Sequence, residues 1–482
     1  MTLALRRRRE IGLQRFSPLW ERPEPFPAQE RRGALDRTRS RDRRYRSAVL
    51  TQRSGLDVAV EEIKARVEAR RGDILKFFRE IVAIPSMDSQ LEAVGERIGA
   101  EMDALNFDEV RFDKMGNILG RIGQGERVLV YDSHVDTVGI GDRNDWQWDP
   151  FEGKVEDGKL FARGTCDEKG STPGMVYGLA SARDLGLLEG FTAYYFGNME
   201  EWCDGIAPQT FVEVDPAVRP DFVVIGEPTK LRVYRGHKGR LELRIVADGR
   251  SAHAAHHHLG DNAVYKMVGV IQAIRELDSR LGVRHAHPFL GKPTLTVTHV
   301  EAQTASLNAV PDEFTIYLDR RVTVDEPRED VIDTIRGLIP AYLHDEVRVE
   351  ELHYDTPSYT GFRFPVDKYF PAWMLEDDHP LVQAGQKTIE SLWDKARPTG
   401  KWDFSTNGTY WAGKASIPSI GFGPGDETLA HTMDEHVSLD EVVRATEWYT
   451  LFPAHIADRL GQCRGQGQSA GAALHRLDLS PD

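Results

Sequence analysis

Apolar and polar positions along the chain follow two alternating periods. From Val58 to Val82 the apolar residues recur at helical spacing, and beyond them short β-rich apolar runs alternate with helical stretches. The runs that are continuous enough to predict buried central strands are VLVYD (128–132), TAYYFGN (192–198), DFVVIGE (221–227) and IPSIGFG (417–423). This alternation predicts an α/β fold.

The pattern changes between about Lys238 and Glu351. Here the strand candidates GRLELRIVADG, PTLTVTHV and EFTIYLDRRV alternate polar and apolar residues, and helices are expected near Asn262–Leu281 and Arg328–Leu343. Such alternation predicts a sheet that helices cover on one face and that is solvated on the other. We therefore expect a small α+β unit inserted into a larger domain, with a sheet that offers a surface to a partner subunit.

The two ends of the chain differ from its middle. The first 50 residues hold 14 arginines against six acidic residues and show no apolar periodicity, so we expect residues 1–55 to be disordered. The last residues, 461–482, are rich in small and polar types and are expected to form a flexible tail. The predicted domain organisation between these ends is a catalytic domain in two parts, 56–237 and 352–460, separated by the inserted unit at 238–351.

Composition narrows the class of partner. The chain has 482 residues, 40% of them hydrophobic, and a net charge of −15, which argues against a generic nucleic-acid or membrane binder and favours a small-molecule partner. Three cysteines cannot form a disulfide framework. No apolar run is long enough for a membrane span, and the N-terminal arginines lead into no signal-peptide core. We expect a cytoplasmic protein.

Histidines and carboxylates follow the predicted strands. They lie in SHVDT (133–137), GTCDEKG (164–170), the pair Glu200 and Glu201, GEPT (226–229) and AHTMDEH (430–436). The carboxyl ends of strands in an open α/β sheet are where ligands bind. Two histidines and four carboxylates are the ligand set of a hydrolytic two-metal centre.

The local chemistry of each motif suggests a role. His134 is a ligand candidate, and Asp136 is placed to hold its second ring nitrogen. Asp167 is the candidate bridge, because two cations about 4 Å apart need an anion between them. Its neighbour Glu168 is interpreted as a surface or helix-terminal charge, and Cys166 as a packing residue.

The adjacent acids Glu200 and Glu201 suit two different tasks. One can bind metal while the other takes a proton from water that a metal has acidified. Glu227 ends a buried strand, and His431 completes the set near the C-terminal end. The protein is therefore predicted to be a metal-dependent hydrolase.

In their order along the chain, and in the position of the insert, these motifs resemble the M20 metallopeptidases, a family that includes acetylornithine deacetylase and succinyl-diaminopimelate desuccinylase. The resemblance covers about residues 56–460. Segments DFSTNGTYW (403–411) and EEWCDG (200–205) are most similar to a subgroup of hydrolases linked to selenium metabolism. The resemblance implies a zinc-peptidase-like catalytic domain with a mixed central sheet, plus an inserted α+β lid that serves dimerisation.

The resemblance also implies roles for individual residues. The metal ligands would be His134, Asp167 and Glu227 on one zinc ion, and Asp167, Glu201 and His431 on the other. Glu200 would be the general base, with Asp136 orienting His134. His253, in GRSAHAA (249–255), would stabilise the oxyanion; in the family this histidine is often supplied across a dimer interface. The substrate-binding candidates are Asn308 and Arg321 for a carboxylate, with Arg320 competing, and Gly408 on the leaving-group side.

The predicted activity is cleavage of an amide bond in a small N-acyl amino acid or dipeptide-like substrate by a homodimer. Two divalent ions are implied, zinc first, with cobalt or manganese as alternatives. A dipeptidase or aminopeptidase of the same family and an inactive metabolite-binding protein are the competing functions. A phosphoryl-transfer enzyme would need a phosphate-binding glycine loop, and none is evident. The Trp-Cys-Asp after Glu201 and the segment 361–375 depart from many relatives and are expected to reshape the pocket.

Overall fold

The computed structural model describes residues 60–465 apart from 88–89, 201–202, 215–217, 285 and 396. The predictions for the N-terminal extension (1–55), for Glu201 and for residues 466–482 lie outside this part of the chain. The helices described are α1 (Val60–Ala69), α2 (Arg71–Val82), α3 (Glu92–Ala104), α4 (Ser171–Asp184), α5 (Ile206–Glu213), α6 (Ala263–Arg284), α7 (Arg328–Arg336), α8 (Pro380–Trp393) and α9 (Leu439–Gly465).

The strands described are β1 (Glu109–Phe112), β2 (Ile118–Ile122), β3 (Arg127–His134), β4 (Lys154–Glu156), β5 (Lys159–Phe161), β6 (Phe191–Asn198), β7 (Phe222–Ile225), β8 (Tyr234–His237), β9 (Gly239–Asp248), β10 (Thr294–Gln303), β11 (Glu313–Val322), β12 (Val347–Glu351), β13 (His353–Tyr354), β14 (Val366–Asp367), β15 (Tyr369–Phe370), β16 (Trp373–Met374), β17 (Gly400–Trp402), β18 (Ser419–Gly421) and β19 (His436–Ser438).

The helical pattern before Val82 forms two helices, α1 and α2, which separate at Arg70. The Arg70 N–H donates to the carbonyl of Val67 at 3.0 Å, which is the i to i−3 hydrogen bond of a 3-10 turn. The backbone of Arg70 also leaves the helical region (φ −100°, ψ 1°). Both helices still bury one apolar stripe, which includes Ile63 and Phe77. The periodicity therefore located the buried face, although it did not reveal the break.

A mixed central sheet carries the four predicted buried strands in its middle. Its order is β1-β2-β6-β3-β7-β18-β8-β16, with β17 beside β8. Strand β3 runs parallel to both β6 and β7, and β7 runs parallel to β18, whereas β2 is antiparallel to β6. The parallel strands are buried and largely apolar because α4 packs against the sheet.

The inserted segment builds a second sheet with its own core. Its antiparallel order is β10-β11-β9-β12, and β15 also pairs with β9. Leu241, Leu243 and Ile245 on β9 are buried in a cluster shared with α6 and α7, while Arg240 and Arg244 alternate onto the opposite face. We refer to this unit as the lid.

The predicted α/β class, with a mixed central sheet and an inserted α+β unit, is confirmed. Helix α7 ends at Arg336, where helix was expected to continue to Leu343, because Gly337 and Pro340 interrupt it. Helix α9 continues to Gly465, beyond the expected end of ordered structure at 460. The domain boundaries themselves stay a prediction. Of the helices described, none has the length and apolar character that crossing a membrane requires.

Candidate metal centre

Three neighbouring parallel strands bring the first motifs together. Strand β3 ends at His134, β6 ends two residues before Glu200, and β7 ends two residues before Glu227. Because β6, β3 and β7 are adjacent and parallel, their carboxyl ends lie at one edge of the sheet. Loops from outside these strands add Asp167, just before α4, and His431, just before β19.

His134 lies among the carboxylates and is held from behind. Its Nδ1 is 3.1 Å from the main-chain oxygen of Asp136 and 3.3 Å from Oδ1 of the same residue. A hydrogen bond there fixes the ring and leaves Nε2 facing the site. Nε2 lies 3.0 Å from Oδ1 of Asp167 and 3.6 Å from Oε1 of Glu227.

The ligand atoms of His134, Asp167 and Glu227 fit a divalent cation. All three residues are buried, and one ligand atom from each lies within 4.8 Å of the others. Asp167 also faces His431, because its Oδ2 is 2.9 Å from the His431 Nε2. One carboxylate thus touches two imidazoles through different oxygens, as a bridge between two ions requires. Imidazole and carboxylate donors suit zinc, cobalt and manganese.

The electrostatics of this group call for positive charge. Burial alone would lower the pKa of His134, but hydrogen bonds to Asp136 and Asp167 outweigh it and hold that pKa well above its usual range. Burial opposes ionisation of Asp167, yet hydrogen bonds from His134 and His431 keep its pKa well below its usual value. The proton on Nε2 of His134 therefore occupies the place where a metal cation would bind the same atom.

Glu200 lies beside the candidate metal ligands, and both its backbone and its carboxylate are hydrogen-bonded. Its N–H donates to Oδ1 of Asp136 at 3.0 Å, and its Oε1 accepts the N–H of Asn407 at 2.6 Å. The residue is 5% exposed, and burial together with the charge of Glu227 raises its pKa well above that of a free glutamate. A carboxylate with a raised pKa is a stronger proton acceptor, which suits a general base.

A buried ion pair that the sequence analysis missed joins two of the ligand loops. Glu435 accepts the N–H groups of Cys166 and Asp167 on one oxygen and pairs with Arg163 through the other at 2.7 Å. Arg163 also donates to the carbonyl oxygen of Thr432 at 3.2 Å. The loops carrying Asp167 and His431 are therefore fixed relative to each other. Glu435 in AHTMDEH was visible in the sequence, but its acceptor role depends on contacts more than 250 residues apart.

The interpretation of Glu168 as a surface charge is wrong. Its side chain is 1% exposed, and burial raises its pKa well above the usual value. The following residue, Lys169, is equally buried, and its Nζ donates to the carbonyls of Ile81 and Ile84 at the end of α2. Sequence alone gave no sign of this, because a Glu-Lys pair after a turn is normally solvated. Cys166 is buried, as expected of a packing residue.

The lid residues assigned by resemblance lie together at its surface. His253 and Ala309 form a β-bridge, and the Asn308 carbonyl accepts the N–H of Ala254 at 2.8 Å. Both His253 and Asn308 are exposed. The hydrogen bonds described for these two residues lie within the lid.

The two arginines at the end of β11 point to opposite faces of the lid sheet. Arg320 is buried beside the lid helices and pairs with Glu326. Arg321 lies on the other face, where it pairs with Asp319 at 2.8 Å and contributes, after burial, to lowering the pKa of His237 to about 4. His237 ends β8 of the central sheet, so Arg321 faces the catalytic domain and Arg320 does not.

Gly408 lies directly beneath the ring of Trp373. A Cβ atom on Gly408 would be 2.3 Å from the indole Nε1, closer than any real contact. Packing therefore accounts for the glycine, and its role near the substrate stays a prediction.

An open α/β sheet with a buried group of imidazole and carboxylate donors, and an anchored glutamate beside it, defines a metal-dependent hydrolase. Residues 130–455 match the peptidase family M20/M25/M40. The chain belongs to this family and is a metal-dependent amidohydrolase.

Named relatives agree with this family. The chain is 42% identical over 384 residues to the uncharacterized protein YgeY of Escherichia coli (strain K12), covering 80% of this chain and 94% of YgeY. It is 27% identical over 362 residues to acetylornithine deacetylase of Vibrio vulnificus (strain CMCP6), covering 74% and 89% of the two chains. The fold is similar to that of the Bacillus subtilis YXEP protein, described as a dinuclear metal binding peptidase, with a TM-score of 0.59 at 14% identity over 80% of this chain and 98% of that one.

Proposed function

We propose that this chain uses two divalent ions, zinc in the first instance, to hydrolyse the amide bond of a small N-acyl amino acid or dipeptide-like substrate. The observation that carries the proposal is the buried group of His134, Asp167 and Glu227 with Glu200 anchored beside it. The likeness to an acetylornithine deacetylase favours an N-acyl amino acid. His134, Asp167 and Glu227 would hold one ion, and Asp167, Glu201 and His431 the other.

Bound divalent ions supply Lewis acidity towards the carbonyl and make nearby water more acidic. The proton transfers belong to Glu200. Its carboxylate takes a proton from the attacking water as the new C–O bond forms. It then gives that proton to the amide nitrogen as the C–N bond breaks, so that a carboxylate and an amine are released. Burial in a site with little water strengthens each of these interactions.

His253 is proposed to donate to the oxyanion of the tetrahedral state. Its Nδ1 accepts the N–H of Ala255 at 3.1 Å, so the ring proton of the neutral side chain resides on Nε2. A donor aimed at developing negative charge is typically worth about 10²–10³ in kcat. Since His253 is exposed in its own chain, we propose that it serves the site of a second subunit.

A homodimer formed through the lid is consistent with the exposed features of that unit. Strand β10 is an edge strand in the described sheet, and its side chains from His299 to Gln303 are all exposed. Val300 is 50% exposed, and Leu307 in the following loop is fully exposed. An edge strand presents unpaired N–H and C=O groups that another chain can pair with, which supports a partner at this edge.

The direct test of the reaction is Glu200→Gln with a panel of N-acetyl, N-succinyl and N-carbamoyl amino acids and dipeptides. Gln keeps an oxygen for the Asn407 N–H but cannot carry the proton, so kcat should fall by about 10³ or more while metal content is unchanged. Near-normal turnover with bound metal would refute the role of Glu200. If only the dipeptides of the panel release an amine, the protein has the competing dipeptidase function.

A further inference from the structure

Two sequence segments, EEWCDG (200–205) and DFSTNGTYW (403–411), are hydrogen-bonded to each other beside the site. Ser405 donates its hydroxyl to Asp204, and the N–H of Gly205 donates to Oδ1 of Asn407 at 2.9 Å. The N–H of Asn407 donates in turn to Oε1 of Glu200 at 2.6 Å. The segment around Asn407 thus holds both the glutamate and the turn that follows it.

The side chain of Asn407 is anchored to the strands below the site. Its Nδ2 donates to Oδ1 of Asn198 at 2.8 Å and to Oδ1 of Asp132 at 3.3 Å. Asp132 also accepts from Asn198 and from the indole of Trp411, each at 2.5 Å. All four residues are buried, and every donor and acceptor group of the Asn407 amide has a partner. A fully satisfied buried network of this kind is rigid and has a single arrangement.

We infer that Asn407 is a positioning residue for Glu200. Its side chain fixes the backbone of residue 407 against β3 and β6, and its N–H holds Oε1 of Glu200. In the described part of the chain this is the hydrogen bond made by the glutamate side chain, so Oε2 is the oxygen left to exchange a proton. The inference rests on the proposed function, in which Glu200 is the base.

Positioning of this kind matters because proton transfer depends steeply on distance. A displacement of about 1 Å in a reacting group can cost about 10²-fold in rate. Asn407→Ala keeps the N–H but removes all three side-chain bonds, so the backbone can move away from Glu200. The expected result is a kcat reduced by about 10–100-fold, with KM and metal stoichiometry unchanged within about twofold.

A double-mutant cycle separates positioning from general damage. Glu200→Asp shortens the side chain by one methylene, so that it no longer reaches the Asn407 N–H. If Asn407 acts through Glu200, Asn407→Ala should lower kcat much less in the Glu200→Asp background than in the wild type. If Asn407→Ala lowers kcat by the same factor in both backgrounds, the inference is overturned. It is also overturned if Asn407→Ala raises KM with kcat unchanged, or if it loses bound metal.

Controls make each failure distinguishable. Thr409→Val removes a buried hydroxyl from the same segment, one that contacts Pro371 and not the network, and should leave kcat unchanged. If Asn407→Ala does not fold, Asn407→Ser is measured in the same cycle, since it keeps a small polar group. An inactive Glu200→Gln with a fully active Asn407→Ala would overturn only this inference. An active Glu200→Gln would overturn the proposed function first.

Discussion

Several buried carboxylates crowd one edge of the central sheet, and they are stabilised in different ways. Asp167 lies between two imidazoles, while the Glu200 carboxylate accepts the main-chain N–H of Asn407. Asp132 lies two residues before His134 on β3 and accepts hydrogen bonds from three side chains, yet burial still raises its pKa to about 6. So much buried negative charge is costly unless cations neutralise it, which is the physical case for divalent metal at this site.

The ion pair of Arg163 with Glu435 should control metal retention. Glu435→Gln leaves one acceptor for the N–H of Asp167 but removes the charge opposite Arg163, so both ligand loops loosen. We expect metal affinity to fall by about 10–100-fold, the usual effect of losing a supporting contact behind a ligand, and stability to fall by about 3 kcal/mol. Competition with a chromogenic chelator measures the affinity. Glu447→Gln, the same substitution at a carboxylate that accepts from Trp393 far from the site, is the matched control. Unchanged affinity in Glu435→Gln would contradict the account.

The sequence located the candidate ligands better than the residues that support them. His134, Asp167 and Glu227 could be found because each follows a strand or a glycine turn in a recognisable motif. Asn198 and Asn407 could not, since their partners are up to 275 residues away and an asparagine after a strand is usually solvated. Asp132 was a missed signal, because a charged residue inside the apolar run VLVYD must find buried partners.

Elements are fitted to one another where small residues allow close approach. The segment after β17 passes so near β16 that only glycine fits at 408 against Trp373. The sequence predicted the long central strands and most helices, because an apolar run or a helical spacing can be read from neighbouring residues alone. They did not locate the short strands β13 to β16, whose pairing joins the lid and the central sheet through residues 353–374.

Gly408→Ala should act on stability before it acts on substrate binding. The added methyl group collides with the Trp373 indole, and overpacking of this kind costs about 1–3 kcal/mol. Thermal unfolding of the metal-free protein checks this. Gly139→Ala, where the added carbon meets nothing within 4 Å, should have no such effect. A raised KM with unchanged stability in Gly408→Ala would instead place the glycine in the substrate pocket.

The contact between α8 and α9 should make stability depend on pH. Burial lowers the pKa of His455 from 6.5 to about 4, and its ring nitrogens lie 3.1 Å from the Thr388 hydroxyl and 3.3 Å from that of Ser391. Above pH 6.5 both states are neutral and nothing changes. As pH falls below 6.5, the unfolded chain binds a proton that the folded chain does not, so stability is lost until about pH 4.

His455→Gln removes this titration and keeps a polar group. Between pH 7 and pH 5 its free energy of unfolding should fall by about 2 kcal/mol less than that of the wild type. Urea unfolding of metal-free protein at the two pH values gives the comparison, with His299→Gln, an exposed histidine, as control. The same loss in both proteins would show that His455 does not set the slope.

The whole molecule combines a catalytic sheet with a lid whose outer edge is unprotected. If the lid forms a dimer, the mass in solution should be about twice the 54.3 kDa of the chain. Val300→Lys combined with Leu307→Lys places charge on the proposed interface and should give monomers with much lower kcat, since His253 would be withdrawn from its partner's site. Tyr342→Lys, at another exposed position of the lid, should stay dimeric.

Analytical ultracentrifugation with parallel kinetics decides this point. A wild type that is monomeric and fully active would contradict the proposed role of His253 across an interface. Monomeric variants that keep full activity would have the same consequence.

The central claim, a two-metal amidohydrolase, is tested most directly by metal titration of the chelated protein. Elemental analysis gives ions per chain while release of amine from an N-acyl amino acid is followed in the same samples. We predict about two zinc-type ions per chain, with activity restored as they bind and abolished by chelator. Hydrolysis that persists without metal, or full metal loading with no hydrolysis of any amide in the panel, would contradict the account.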